Sequence, residues 1–211
     1  MSHAAPSKSF LQDVAAGHVT VIGLTTKQYH HLIGNNLLDE DTETELLDGL
    51  MVRKDRSAHG EDPVTIGDRH RIAVQRLVRL ARDFDPLGCH LQIQQPIVCP
   101  PHHEPEPDAS VARGLEGDYT DRPPGPSDVL SVIEVADRSL ARDLSTKLRI
   151  YAEAAIPQYV VVDLVHNVVL VHSQPAAGSY AAPIVLRSGD ALRISGGNGR
   201  YVEIAVQQLL P

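Results

Sequence analysis

Apolar residues follow two different spacings along this chain, and runs of strand length fill much of its second half. The run at 129–135 is mostly apolar rather than alternating, which is typical of a strand buried on both faces of a sheet. Asp48 and Gly49 lie between apolar residues and predict a hairpin over 45–52. Further strands are predicted over residues 91–98, 109–112, 159–164, 168–172, 184–186 and 201–206.

Apolar residues spaced three and four apart predict three helices. They cover residues 28–32, 69–84 and 140–155. The first would be capped by Thr25 or Thr26 and closed by Gly34. The second should turn one apolar stripe towards the core, and this stripe consists of Val74, Leu77, Val78, Ala81 and Phe84.

Lys147 breaks the pattern of the third helix. At 3.6 residues per turn it falls inside the apolar stripe, whose members are Leu140, Leu144, Leu148, Tyr151 and Ala155. A buried ammonium group is costly unless it is paired. One interpretation is an internal ion pair with Asp143, four residues earlier, and the other is a lysine directed at an active site. The helix alone favours the pair, because structural pairs are common.

The order of elements is helix, three strands, helix and two strands, which predicts an α/β fold with a mixed sheet. Short links between the first three strands favour antiparallel pairing, and the helix after the third favours a crossover to a parallel neighbour. With 211 residues we expect one domain over 1–211, with its core at about 45–175. Residues 1–20 carry no strong pattern, so we expect disorder at the start.

The composition and the net charge limit the classes of function that are expected. A formal charge of −8 argues against a generally basic nucleic-acid coat, although it leaves a local basic groove open. One cluster of arginines consists of Arg69, Arg71, Arg76, Arg79 and Arg82. For most of them we expect positions on the solvent-exposed face of a helix. Cys89 and Cys99 form no paired motif, and no signal-peptide or membrane-span pattern occurs, so we expect a cytoplasmic protein with free thiols.

Three residues offer a specific chemistry. Asp108 follows Pro107 and starts an extended run, and Glu134 ends the buried run that follows. Two strands and a helix would thus place two carboxylates and the Lys147 ammonium in one layer. Oxygen ligands of this kind hold hard divalent cations, beside which a water can be activated.

Ordered motifs surround these residues over roughly 22–175. They are residues 45–49, 68–71, 94–97, 104–108, 132–137, 139–140, 143 with 147, and 151–152 leading to 156–159. In this order they resemble the PD-(D/E)xK nuclease superfamily and, within it, the Uma2 family of restriction endonucleases. The resemblance implies a restriction-endonuclease-like αβββαβ core with an N-terminal helix and hairpin.

The resemblance also implies residue roles. Asp108 and Glu134 would be metal ligands, with the backbone carbonyl of Val135 as a third. In the superfamily a lysine usually follows the acid by two positions, but Ala136 occupies that position here. In the Uma2 family the lysine is expected to come from the following helix, and Lys147 matches that place. These roles imply an endonuclease that uses Mg²⁺ or Mn²⁺ to hydrolyse phosphodiester bonds, with DNA as the expected substrate.

Two other functions stay open at this point: a catalytically inactive binding or regulatory protein on the same fold, and a hydrolase of another substrate. The negative charge and the displaced lysine favour the first of them. A homodimer could gather two arginine faces into one groove, and we predict one on that ground.

Further residues have weaker signals. The resemblance makes Glu45 an additional acid near the metal, against the alternative of a surface glutamate on a strand edge. His70 could contact phosphate or be a hydrogen-bonded core histidine. Gln95 could reach a water at the metal or be an ordinary strand residue, and Asp143 is expected to position Lys147. We expect loop or surface positions for His30, His31, His102, His103, Glu104 and Glu106.

Overall fold

A six-stranded mixed sheet forms the centre of the computed structural model, which describes residues 6–38, 44–53 and 67–211. These ranges contain ten strands, which are β1 (Thr44–Leu47), β2 (Leu50–Arg53), β3 (Cys89–Ile93), β4 (Ala109–Arg113), β5 (Val129–Ala136), β6 (Gln158–Asp163), β7 (Val168–Ser173), β8 (Ile184–Leu186), β9 (Ala191–Ser195) and β10 (Tyr201–Ala205). The large sheet has the order β3-β4-β5-β6-β7-β8, and β1-β2 and β9-β10 are separate antiparallel hairpins.

Only the pair β5–β6 is parallel in the large sheet. The helical segment between these two strands makes the crossover that parallel pairing requires. The α-helices in the described part of the chain are α1 (Lys8–Ala15), α2 (Thr26–Gly34), α3 (Asp68–Val78), α4 (Ala81–Phe84), α5 (Leu140–Arg142) and α6 (Leu148–Glu153). The mixed α/β class, the antiparallel β3-β4-β5 unit and the parallel crossover are therefore confirmed.

The large sheet is covered on both faces. α3, α4 and the β9–β10 hairpin contribute to one buried apolar cluster, and α6 contributes to the other. β5 lies between the two clusters and all eight of its residues are buried, as its sequence predicts. Both cysteines are buried and free, and no helix in the described ranges is long and apolar enough to cross a membrane.

The prediction of one helix over 69–84 is wrong at its centre. α3 ends at Val78, and α4 starts only at Ala81. The break rotates the second helix relative to the first, so Leu80 is buried while Val78 is 47% exposed. A stripe drawn at constant spacing could not anticipate this change of face.

The strand predicted over 91–98 is also shorter than expected. β3 ends at Ile93 because Gln94 adopts a left-handed backbone conformation with φ 50°, and Pro96 has no N–H to donate. The chain then turns back between Cys99 and His103 instead of running extended up to Asp108. This turn brings Glu104 beside β1, where its backbone pairs with that of Leu46.

Both ends of the chain contain elements that the sequence patterns did not predict. α1 lies in the segment expected to be disordered, and none of its residues is buried. β9 was missed although Leu192 and Ile194 alternate with exposed residues. The hairpin is as predicted, and of the two candidate caps Thr25 caps α2, which includes Gly34 as its last residue. The polar residues, Gly and Pro at 57–68 predict a loop, and most of that segment lies outside the described residues.

The helix predicted over 140–155 is continuous but not uniform. Between α5 and α6 the segment Asp143–Lys147 forms a π-helical turn, in which the N–H of Leu148 donates to the carbonyl of Asp143 five residues earlier. Such a turn adds a residue to an α-helix and changes which side chains share a face, and π turns are frequent at functional sites.

Candidate active site

The sequence-predicted acids Asp108 and Glu134 meet at the carboxyl end of β5. Glu134 points to the face that α6 covers, and Asp108 stands immediately before β4. The N–H of Val135 donates to Oδ2 of Asp108 at 2.8 Å, which joins the two acids through one peptide unit. The antiparallel register of β4 and β5 pairs Ala109 with Ile133 and so sets this distance.

Lys147 lies directly against Glu134. Its Nζ donates to Oε1 of Glu134 at 2.7 Å and lies 3.4 Å from Oε2 of Glu45. The ammonium is buried together with both carboxylates. Lys147 therefore does not snorkel outward, and the expected pair with Asp143 is wrong, because the Asp143 carboxylate accepts a hydrogen bond from Ser139 Oγ at 2.6 Å instead.

Glu45 reaches the site from the N-terminal hairpin. It is 2% exposed, so the alternative of a surface glutamate on a strand edge is wrong. Its Oε2 accepts a hydrogen bond from the Glu106 N–H at 3.3 Å, and its Oε1 lies 4.0 Å from Nη1 of Arg142. Glu45 thus lies between two cations, Lys147 and Arg142.

His70 contacts Asp108 from the first turn of α3. Its Nε2 lies 3.2 Å from Oδ2 of Asp108, the oxygen that also accepts from Val135. Burial lowers the pKa of His70, but the neighbouring Asp108 carboxylate raises it more, and the resulting pKa is above the ordinary value. The Asp108 carboxylate thus favours protonation of His70.

Tyr151 is a site contact that the sequence patterns missed. Its hydroxyl donates to Oε1 of Glu134 at 3.0 Å, on the same oxygen that Lys147 contacts. The sequence placed it in the apolar stripe of the helix, where it is indeed buried. A buried tyrosine needs a partner for its hydroxyl, and that requirement was the available signal.

Burial dominates the electrostatics of the acids. It raises the pKa of Glu134 to about 8, although the adjacent Lys147 lowers it. Burial also raises the pKa of Asp143, which Lys147 and Ser139 partly offset. For Lys147, burial lowers the pKa, but the carboxylates around it, Glu134 and Glu45 foremost, bring it above its ordinary value. Because burial disfavours the ionised form of Glu134, a bound cation would stabilise that form.

The donor set suits a hard divalent cation. Within the described part of the chain, neither Oδ1 of Asp108 nor Oε2 of Glu134 has a hydrogen-bond donor. The Ala136 carbonyl accepts from Leu164 on the β6 side, so the carbonyl of Val135 faces the opposite side, where Asp108 lies. Two carboxylate oxygens and one carbonyl are the ligand types that Mg²⁺ and Mn²⁺ take.

No cluster of three or more His, Cys, Asp or Glu side chains in the described ranges is arranged to hold a metal ion. A cation at Asp108 and Glu134 would therefore need backbone and solvent oxygens for its remaining ligands. Mg²⁺ commonly keeps several waters when it binds to proteins, so this requirement matches its coordination chemistry.

Several other candidates lie apart from these acids. Gln95 is exposed on the turn after β3. His102 contacts the carbonyl of Leu24, and His103 accepts a hydrogen bond from the N–H of Asp48. The prediction of a solvent-exposed loop position for Glu104 is wrong, because its side chain is buried.

The partner of Glu104 is His30, a partly exposed residue of α2. Burial raises the pKa of Glu104, and His30 offsets part of that rise. Glu104 follows the turn between Cys99 and His103 and pairs with Leu46 of β1, so its contact with His30 lies where the hairpin meets this segment.

Comparisons with known proteins agree with this architecture. A family model named Uma2 and described as "Putative restriction endonuclease" matches residues 26–205. A solved structure described as a putative nuclease belonging to DUF820, from Anabaena variabilis, is similar in fold, with a TM-score of 0.56 at 10% sequence identity. The likeness covers 83% of this chain and 94% of that one. No curated protein sequence matches.

Proposed function

Because the chain belongs to the Uma2 restriction-endonuclease family, we propose that it is a divalent-metal-dependent endonuclease that hydrolyses phosphodiester bonds in DNA. The observation that carries the proposal is the meeting of Asp108, Glu134 and Lys147 at the end of β5. This set combines two acids with open oxygens and a buried cation, which a purely structural ion pair would not require.

In this proposal Asp108, Glu134 and the Val135 carbonyl hold Mg²⁺ or Mn²⁺. The bound cation would supply charge compensation for the phosphate and a lower pKa for a coordinated water. In the reaction, the oxygen of water bonds to phosphorus, and the bond from phosphorus to the leaving oxygen breaks. Water loses one proton, and the leaving oxygen takes one up.

Lys147 acts on the attacking water or on the charge that develops at phosphorus. Its ammonium can donate to either, and its position against Glu134 keeps it beside the open oxygens. Tyr151 holds the same Glu134 oxygen and thereby fixes the carboxylate rotamer. His70 does the same for Asp108. Preorganised polar groups of this kind make the largest contribution to the rate enhancement of many enzymes.

The surface next to the site offers contacts for a nucleic acid. Arg69, Arg71, Arg79 and Arg82 are exposed on and after α3, the helix that carries His70. Arg76 is different, because it donates to the carbonyl of Leu210 and serves the fold. Exposed arginines can bind phosphates locally despite the net charge of −8. The buried free cysteines suit a reducing, cytoplasmic setting.

Cleavage of supercoiled plasmid in Mg²⁺ or Mn²⁺ tests the proposal. We expect nicking by the wild type and its loss in Asp108→Ala, Glu134→Ala and Lys147→Ala. Glu203→Ala is a matched control, because it removes an exposed carboxylate that pairs with Arg193. No cleavage of plasmid or single strands by folded wild type would instead support a binding protein on the nuclease fold.

A further inference from the structure

Arg142 has an unusual environment for an arginine beside the site. Its side chain is 34% exposed, and its Nε is buried with no hydrogen-bond partner among the residues that the structure describes. Within the described ranges its one ion-pair contact is the 4.0 Å approach of Nη1 to Glu45, which is too long for a hydrogen bond. Buried donors in native structures are almost always satisfied, so the unsatisfied Nε of Arg142 is exceptional.

The π-helical turn accounts for the position of Arg142. In a regular α-helix, residues five apart point about 140° away from each other, which would put Arg142 and Lys147 on different sides. In the segment Asp143–Lys147 the backbone hydrogen bond spans five residues instead. Residues 142 and 147 therefore approach a common face, and both side chains lie against Glu45.

Glu45 gives the two cations different surroundings. Its Oε2 lies 3.4 Å from the Lys147 ammonium, which is buried against Glu134. Its Oε1 faces Arg142, whose side chain remains partly open to solvent. One buried carboxylate thus lies between a buried cation and a second cation that is partly exposed to solvent.

We propose that Arg142 binds the scissile phosphate of the nucleic acid, with Glu45 as the residue that positions it. A guanidinium presents several donors in a planar fork that matches phosphate oxygens. Bound to a non-bridging oxygen, Arg142 would compensate the negative charge that increases on the phosphate during attack by water. This role rests on the proposed nuclease function and adds a second cation to Lys147.

Two substitutions at Arg142 and one control variant test this role. Arg142→Ala should lower kcat for plasmid nicking by about 100-fold, with a smaller change in KM, because the contact strengthens in the transition state. Arg142→Lys should recover part of the rate, since a point charge replaces the fork. Arg149→Ala is the control, because Arg149 lies in the same helical segment but pairs with Asp48 and Glu153.

A binding measurement separates this role from the nuclease proposal. Anisotropy of a labelled DNA duplex in Ca²⁺, over a series of salt concentrations, reports phosphate contacts without cleavage. Arg142→Ala should reduce the salt slope by about 0.9, the value for one lost phosphate contact. Circular dichroism and thermal melting confirm that each variant is folded.

The outcomes are distinct. Nicking by the wild type together with wild-type rates in Arg142→Ala would overturn the role of Arg142 and leave the nuclease function standing. Duplex binding that depends on Arg142, without any nicking, would support the phosphate contact and overturn the nuclease function. Neither nicking nor duplex binding by folded wild type would overturn both.

Discussion

At the scale of single residues, one oxygen of the Glu134 carboxylate accepts hydrogen bonds from two side chains of the candidate site. Lys147 and Tyr151 both donate to its Oε1, which leaves Oε2 for another ligand. The two donors come from one helical segment, on either side of the end of the π-helical turn. The rotamer of Glu134 therefore depends on the packing of that segment against β5.

Substitution of Tyr151 by phenylalanine should affect activity more than stability. The loss of one buried hydroxyl hydrogen bond costs about 1 kcal/mol in the free energy of unfolding, and the ring remains packed. Tyr180→Phe is the matched control, because its hydroxyl donates to the carbonyl of Ile156 away from the acids. Urea denaturation should give similar losses for both, whereas nicking should fall only in Tyr151→Phe. Equal nicking rates in the two variants would contradict a role for the Tyr151 hydroxyl.

His172 should make the fold sensitive to acid. Its ring packs against those of Tyr159 and Tyr180, with centroids 5.8 and 5.9 Å away, and its Nε2 is buried without a partner among the described residues. Burial lowers its pKa in the folded state. As the pH falls below about 6.5, the unfolded state binds the proton more readily, so the free energy of unfolding decreases.

Replacement of this residue tests the linkage. His172→Phe keeps an aromatic ring but removes the ionisable group, so stability should change less between about pH 7 and pH 5. The exposed His18→Phe is a control, and urea denaturation at both pH values is the measurement. An unchanged pH dependence in His172→Phe would assign the acid sensitivity to other groups.

At the scale of elements, the hairpin β1–β2 carries Glu45 to the acids. Its turn has positive φ at both Asp48 and Gly49, the conformation of a two-residue hairpin turn. Gly49 also lies against the preceding segment, since an added Cβ would be 2.6 Å from Cα of Gly23. The position of Glu45 therefore depends on a close contact between two backbones.

Gly49→Ala should displace this hairpin. The strained φ and the backbone contact together predict a loss of about 1–3 kcal/mol in the free energy of unfolding. Gly117→Ala is the control, because an added Cβ there meets nothing within 4 Å. Thermal melting of both variants is the measurement, and equal melting temperatures would contradict the proposed contact.

At the scale of the whole molecule, the homodimer stays a prediction, and exposed apolar residues near the N-terminus are candidates for its interface. None of the residues of α1 is buried, and Phe10 and Leu11 are 43% and 51% exposed. Ile22, in the segment that follows, is 93% exposed. Apolar residues gathered in the N-terminal part of a chain suit contact with another protein surface.

Light scattering should give twice the mass of the 22.9 kDa chain. Phe10→Ser combined with Ile22→Ser should shift the mass towards the monomer if the N-terminal part forms the interface. Val185→Ser, at the exposed position of β8, serves as the control. A monomeric wild type would contradict the predicted dimer.

The sequence by itself determined the strands that carry the two acids and the positions of the acids on them. The apolar runs of β4 and β5 are local signals, and Asp108 and Glu134 lie at fixed positions relative to them. The direction of strand pairing could also be predicted. Short links between strands favour antiparallel neighbours, and a helix between two strands favours a crossover to a parallel neighbour. The metal and phosphate roles of these residues remain predictions.

Only the tertiary structure decided which side chains meet. The wheel of the last helix identified Lys147 as anomalous but gave it the wrong partner, since Asp143 is near in sequence and Glu45 is not. The π-helical turn adds a residue to the helix without changing the apolar pattern enough to be visible. The spacing of apolar residues reports the periodicity of one segment. The candidate site consists of contacts between segments that are distant in sequence, and these contacts form only when the chain packs.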